Sequence, residues 1–499
     1  EVADKLGVQP GFYVPEDSAF FKDNFDPLKI GIVVAPNVPV SLHQVFRSPT
    51  PSTLFSDYNN LAPRVGFAWQ PEALQRLVLR GGYGMYYERT GGAIKGDLQL
   101  SSPFFIYQNV PSPADMANPY PEVNINPFEI PYNVTIARDA NGGASWRRFD
   151  GSAFPATSPF SPKSHTFIDP FIRTPYTQQW TFNVQYETLR NQVLDLRYVG
   201  SRGTGLLARL NLSQPQNPRE YPVNGFDDFR TRTGALISPS FFVRPDLLGL
   251  HHNGGFRSLS NWGHSSYNAV QANYRVRMQA LFANVGYAFQ KSIDNVSVDR
   301  GVIQHDAFNS RLNRGLSDFD RAHRLTAQWV YEVPFARGHR LFGGWNLSGM
   351  LTLQSGSMIT VTGNSSANAV FAQPATVRPS FAPGRTLDDA ILSGRVQDRL
   401  ERYFDPTVFV DSSESWGNAG RNLIRGPVQR QLDLTISRNF SVAESSRAEF
   451  RWELYNVTNT PTFANPSAGL AVGGPGTAGR ITSTIGGPRT MQGGIRFMF

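Results

Sequence analysis

The sequence contains no cysteine. Disulfide staples and thiolate metal sites are thereby excluded, and the absence suits passage through an oxidising envelope compartment. Nor is there an apolar run approaching the roughly 18 to 20 residues of a transmembrane helix. Helix-forming stretches are scarce. The net charge is +8 and the pI is near 9.6, yet the arginines stand singly and form no dense basic run. The electrostatic footprint of a nucleic-acid binder is therefore missing, and nucleic acid is not an expected partner. The chain opens at Glu1 with no signal peptide or initiator methionine. A processed chain, or a portion of a longer one, is the expectation.

What the sequence does have is alternation of two kinds. Within "QLDLTISRNF", Leu432, Leu434 and Ile436 oppose Asp433, Thr435 and Ser437. Within "RAEFRWELYN", Ala448, Phe450, Trp452 and Leu454 oppose Arg447, Glu449, Arg451 and Glu453. "YNAVQANYRVRM" and "WNLSGMLTLQ" repeat the pattern. A period of two with one apolar face predicts half-buried strands. They fall near 62–70, 76–88, 177–188, 192–202, 266–278, 280–291, 321–334, 344–355, 430–440, 446–456 and 489–499. The second alternation is in the joints, which run short, long, short, long along the whole series. Long ones cover about 89–176, 203–265, 292–320, 356–429 and 457–488. Loops of this length need a reason in a compact domain.

One architecture accounts for both: an all-β, antiparallel transmembrane β-barrel. Its apolar residues face lipid, its polar residues face the lumen, tight turns lie at one end and long loops at the other. The C-terminal run fits this reading, with Met491, Gly493, Ile495, Phe497 and Phe499 on one face up to the last residue. Eleven strands are an odd number, whereas single-chain bacterial barrels have even ones, and an open sheet leaves edges that lipid does not tolerate. Residues 62–499 are therefore expected to form the C-terminal part of a larger barrel, with 1–61 an extracellular loop or incomplete-strand region. A strand within 30–47 is disfavoured by its two prolines.

The residues also resemble a known family. "NNLAPRVGFAWQP" with "LRGGYGMYYER", then "NRGLSDFDRAHRLTAQWVYEVPF", "GWNLSGMLTLQSGSMITV", "GNAGRNLIRGPVQRQLDLTISRNF" and "FRWELYNVTNTPTFANP" are similar, in order, to blocks of TonB-dependent outer-membrane receptors of the Oar-like group. "GRITSTIGGPRTMQGGIRFMF" resembles the closing segment of that group. The resemblance implies a roughly 22-stranded barrel holding a plug, energy from the TonB complex, and residence in the bacterial outer membrane. It also implies that Ile495, Phe497 and Phe499 form the signal read by the barrel assembly machinery. This sequence shows no plug, no TonB box and no first half of the barrel, so transport is an expectation for the parent protein.

Support for catalysis is poor, and no catalytic, cofactor or metal site is expected. "SDFDRAHR" brings Asp318, Asp320, Arg321, His323 and Arg324 together where a long loop enters a strand, and a rim network fits them better than a metal site. His251 and His252 read as a loop pair. Lumen-facing Asp433, Arg447, Glu449, Arg451 and Glu453 are expected to pair across strands and with a plug. Recognition is expected from the long loops, above all the Pro- and aromatic-rich 89–176. In 356–429, Thr386 with Asp389 three residues on signals a helix start ahead of Ile391, Leu400 and Phe404. The expected function is uptake of a large scarce solute (siderophore, oligosaccharide or peptide). The alternative is surface adhesion or protein export of Oar type, and a passive porin fits least well.

Overall fold

A computed structural model of the chain describes residues 57–88, 168–169, 171–211, 256–299, 301, 305, 309–335, 339, 343–363, 378–410, 417–441, 446–471 and 476–499. It also gives the backbone of seven short strands outside these ranges: Phe12–Val14, Val33–Val34, Val45–Arg47, Val134–Arg138, Ala144–Arg148, His165–Ile168 and Leu250–His251. Eleven strands make the principal sheet. They are β1 Arg64–Trp69, β2 Leu77–Tyr87, β3 Tyr176–Leu189, β4 Gln192–Asn211, β5 Phe256–Arg277, β6 Leu281–Asp294, β7 His323–Glu332, β8 Trp345–Gln354, β9 Gln429–Ser441, β10 Arg447–Tyr455 and β11 Thr490–Met498. Each pairs antiparallel with its neighbours in sequence, so the sheet is an unbroken meander from β1 to β11. Val33–Val34 and Val45–Arg47 pair outside this sheet. Among the described residues no helix is long and apolar enough to cross a membrane.

Strand positions agree with the sequence expectation except at β4 and β5, which run to 20 and 22 residues. Their outer halves were hidden because the register shifts between Thr204 and Ala208, with Gly205 at a φ of +63°. A bulge of this kind interrupts the period of two, so the alternation stops being readable near residue 202. Beyond the bulge both faces are covered. Ala208 and Leu210 pack on Val296, while Leu207 and Leu259 pack on Ile168 and Ile172. Most strands have the length needed to cross a bilayer at a tilt, about 9–11 residues. This hairpin continues past it.

The register fixes which residues share a face. One row runs Tyr186, Leu194, Tyr274, Val285, Ala327, Leu351, Leu432 across seven strands. The row one residue away runs Gln185, Asp195, Asn273, Gly286, Thr326, Thr352, Gln431. One face of the sheet is thus apolar and the other polar across its width. Many apolar side chains are exposed, among them Phe182, Val270, Phe289, Ile495 and Phe497. An exposed apolar band this broad is unlike a water-soluble surface and suits a lipid solvent.

On the apolar face, three aromatic rings lie over glycines directly opposite: Phe67 over Gly81, Trp180 over Gly200 and Trp329 over Gly349. A Cβ at any of these glycines would overlap the ring. The glycine lets the ring lie flat along the neighbouring strand, which covers backbone and pins the register. Gly349→Val should displace Trp329 and destabilise the sheet by about 1–3 kcal/mol, the usual cost of overpacking. Gly494→Val enters open space and should change stability by less than about 0.5 kcal/mol. Urea midpoints of the protein in lipid vesicles, followed by tryptophan fluorescence, check the pair.

Candidate functional site

At the long-loop end, the loops after β8 and β10 fold into one body with its own apolar core. Ile359, Val361, Phe404, Val408, Phe409 and Ile424 from the first pack with Leu470 and Ala478 from the second. Backbone bonds seal the junction: Leu470 N–H donates to Thr362 at 3.0 Å, Tyr403 N–H to Gly479 at 2.8 Å, and Ile481 N–H to Leu400 at 2.8 Å. The expected helix is there but short, Leu387–Ala390, with the Thr386 N–H donating to the Asp389 carboxylate at 2.8 Å. It does not reach Leu400 or Phe404, because the backbone becomes extended at Ile391 (φ −87°, ψ 111°), whose N–H closes the last turn on the Asp388 carbonyl.

This body is fastened to the barrel wall by arginines. Arg421 is buried and donates to the carboxylate and carbonyl of Asp294, to Asp318 at 3.3 Å, to Ser297 Oγ at 3.2 Å and to the Asn313 carbonyl at 3.0 Å. Asp294 ends β6 on the same face as Ser292 and Gln290, so the loop after β8 is drawn to the polar side of the sheet. Asn422, at a φ of +56°, donates to the Leu316 carbonyl and to Asp318, both at 2.6 Å, and exchanges hydrogen bonds with Thr360. Arg425 binds the Asp320 carboxylate at 2.7 Å, and Asp320 also accepts from the Ser292 N–H at 2.8 Å. Gly356 allows the approach, since a Cβ there would collide with the backbone of Gly426 and Pro427. One guanidinium, Arg421, thus ties the wall to the loops before β7 and before β9. Removing one partner of a buried ion pair typically costs about 3–5 kcal/mol, because the other charge is left without compensation.

Arg378 and His305 extend the junction. Arg378 donates to the Ala419 carbonyl at 2.8 Å and the Leu312 carbonyl at 2.5 Å, and its backbone N–H donates to His305 Nδ1 at 3.2 Å. With Nδ1 accepting, the imidazole proton sits on Nε2, which donates to the Gly417 carbonyl at 3.0 Å. Burial, and next the Arg378 charge, hold the His305 pKa down at about 3. Burial, and next Arg421, lower the Arg378 pKa to about 10. This corner of the body is therefore built around a neutral histidine.

Of the rim residues singled out in sequence, Asp318 and Asp320 take their cations from Arg421 and Arg425, across the next long loop. Arg321 lies near both Asp320 and Arg425, with its pKa lowered first by burial and then by Arg425. His323 points elsewhere. It lies on the apolar face, its Nδ1 2.8 Å from Tyr287 Oη and its ring 5.1 Å from Phe289. Arg324 is on the polar face of β7, opposite Ala288 and Gln354. Arg447, Glu449, Arg451 and Glu453 do share the polar face of β10, with Arg451 bound to Glu453 at 3.1 Å. Asp433 is far along β9 from Arg447, because the antiparallel register sets Arg447 against Ser441, and it accepts from the Asn456 N–H at 2.8 Å instead. Ile495 and Phe497 lie on the apolar face and Phe499 follows the end of β11. His251 is in a two-residue strand paired with Val33–Val34. His252 and most of 89–176 lie outside the described residues. Sequence reasoning missed Arg378, Arg421, Asn422 and Arg425. The only signal was "GRNLIRG", where two arginines and an asparagine sit between glycines.

Acid should loosen this body. The folded pKa of His305, about 3, lies below the ordinary value of about 6.5. Protons therefore favour the opened loops. The contribution is complete above about pH 6.5, and is lost by about 1.4 kcal/mol per unit as pH falls toward the folded value. From pH 7 to pH 5 the loss is roughly 2 kcal/mol, or a roughly thirtyfold rise in cleavage of the loop after β8 where proteolysis follows local opening. Limited proteolysis across this range checks it, and His305→Gln should flatten the response.

The family described as outer membrane beta barrel domain matches residues 13–492. No curated protein matches the chain in sequence. Among solved structures it is similar to the outer membrane transporter YddB from Escherichia coli, at 10% identity and a TM-score of 0.42, over 88% of this chain and 40% of that one. It is also similar to the pyoverdine outer membrane receptor FpvA from Pseudomonas aeruginosa PAO1, at 10% identity and a TM-score of 0.36, over 88% and 36%. A third is BauA, the ferric preacinetobactin receptor from Acinetobacter baumannii, at 11% identity and a TM-score of 0.35, over 87% and 36%. The chain spans 40% or less of the length of these three structures. With an apolar face for lipid, a polar face within, and a family match along nearly its whole length, the chain belongs to the outer membrane β-barrel domain family and resides in the bacterial outer membrane.

Proposed function

We propose that this chain is the C-terminal barrel portion of a TonB-dependent outer-membrane receptor that takes up a large, scarce solute. The observation that carries the reading is the width of the sheet together with its edges. Eleven strands spaced about 4.8 Å apart make a wall roughly 50 Å wide. Among the described residues neither β1 nor β11 has a partner on its outer side. Lipid does not tolerate such edges, so further strands must close the wall. A barrel of the roughly 22-stranded class has a lumen wide enough to need a plug. In this reading residues 1–61 belong to an extracellular loop or incomplete-strand region and 62–499 to the barrel. Ile495, Phe497 and Phe499 serve the assembly machinery, and Asp433, Arg447, Glu449, Arg451 and Glu453 face the lumen.

The loop body supports a receptor over an open pore. In this reading the body, bound at Asp294 on the polar side, stands over the lumen of the closed barrel. A self-contained loop body also favours the second reading, a surface adhesion or protein-export factor of Oar type, since it presents a fixed face to a partner. Neither reading involves catalysis.

Depletion of solutes from spent medium separates the readings. Cells carrying the intact gene should deplete at least one large solute at least tenfold faster than cells lacking it, and a protonophore should abolish the difference. Depletion that survives the protonophore contradicts energy coupling. Unchanged depletion with loss of cell–cell adhesion would favour the second reading.

A further inference from the structure

We infer that the polar wall of β4–β7 carries a binding site for a molecule with two or more oxyanion groups, carboxylate or phosphate. One register row crosses eight strands as Arg80, Asn183, Arg197, Gln271, Ala288, Arg324, Gln354, Gln429. Long polar side chains stand on both sides of β6, where the row drops to Ala288, and the next row drops to Gly286. The result is a depression of about 380 Å³. Its floor is Gly286 and Ala288, and its rim includes Arg197, Arg275 and Arg324. The floor is low because β6 offers no bulk there. A Cβ at 286 would already sit 3.3 Å from Thr326 Oγ1 and 3.4 Å from Asn273 Oδ1.

The chemistry of the rim is that of a donor. Three guanidinium groups meet one carboxylate, Asp195, so positive charge is in excess. Asp195 is already engaged by the Asn183 amide at 2.7 Å and by Arg197 at 3.7 Å. Arg275 and Arg324 make no salt bridge among the described residues. Gln185 accepts from Arg80 at 2.7 Å, which leaves its amide N–H groups to donate. Arg197 and Arg324 rise from positions three strands apart, about 14 Å. Each guanidinium can fork onto a separate oxyanion above the small-residue floor, the geometry arginine satisfies best. A monoanion would engage only one side. The inference rests on the polar face lining the barrel interior and does not require energy coupling.

Such oxyanions have two sources: a free solute, or acidic side chains of a protein segment lodged in the lumen. Citrate serves as the probe, titrated calorimetrically into the intact purified protein in detergent at low salt. For a free-solute site, citrate binds saturably. Arg275→Gln with Arg324→Gln then weakens it at least tenfold, and so does Ala288→Met, which fills the floor while keeping every charge. For a site taken by the protein's own acidic side chains, citrate does not bind the wild type, and both variants lower the unfolding temperature, as does 1 M NaCl. The proposal is overturned if citrate does not bind and neither variant shifts unfolding. It is equally overturned if citrate binds and Ala288→Met leaves its affinity unchanged, since diffuse charge would then suffice. No energy source enters this experiment, so its failure is distinct from failure of the uptake assay.

Discussion

In hydrocarbon every backbone N–H and C=O must find a partner within the protein, at a cost of several kcal/mol for each one that does not. The rest of the structure depends on this. It forces the chain into strands that each pair on both sides and makes the simplest meander the safest topology. It also concentrates irregular backbone at the ends, where water or other loops can satisfy it. The strands β2 to β10 obey it fully, each flanked by its sequence neighbours. Only β1 and β11 present an unpaired side among the described residues, which is why the width of the closed barrel follows from what lies against them.

With pairing fixed, side chains divide the labour by parity. Those facing lipid gain little from burial there, so packing detail counts, as in the rings of Trp180 and Trp329 laid over Gly200 and Gly349. On the other face, polar side chains bond across strands, as Arg80 does to Gln185 and Tyr267 to Gln290. At the mouth the constraint relaxes and ordinary protein physics returns. A small apolar core forms around Phe404 and Phe409, and buried arginines supply the donors that irregular backbone carbonyls require. Arg421 connects these two regimes, because one guanidinium from the loop before β9 holds both the last residue of β6 and the loop before β7.

The barrel was legible in the sequence because parity is a local signal. Leu432, Leu434 and Ile436 state their face within five residues, and short and long joints state which end is which. What stayed hidden depends on contacts distant in sequence. Asp318 and Asp320 look self-sufficient beside Arg321 and Arg324, yet their cations come from about a hundred residues away. His323 reads as a rim residue, while the strand parity it shares with Leu325 turns it outward. Cross-strand pairing of Asp433 with the charged row of β10 depends on the hairpin's register, which sets Arg447 against Ser441 and leaves Asp433 accepting from the Asn456 N–H. The depression above Gly286 and Ala288 was equally invisible, since it exists only where four strands come into register.

The central claim is that parity along each strand separates lipid from lumen. Because the chain lacks cysteine, single cysteines can be placed without background at 350 to 353 in β8 and 433 to 436 in β9. Each would carry a nitroxide label in reconstituted vesicles. Accessibility to dissolved oxygen should peak at 351, 353, 434 and 436, and accessibility to a water-soluble nickel chelate at 350, 352, 433 and 435. Equal accessibility at neighbouring positions, or the opposite phase, would contradict the account.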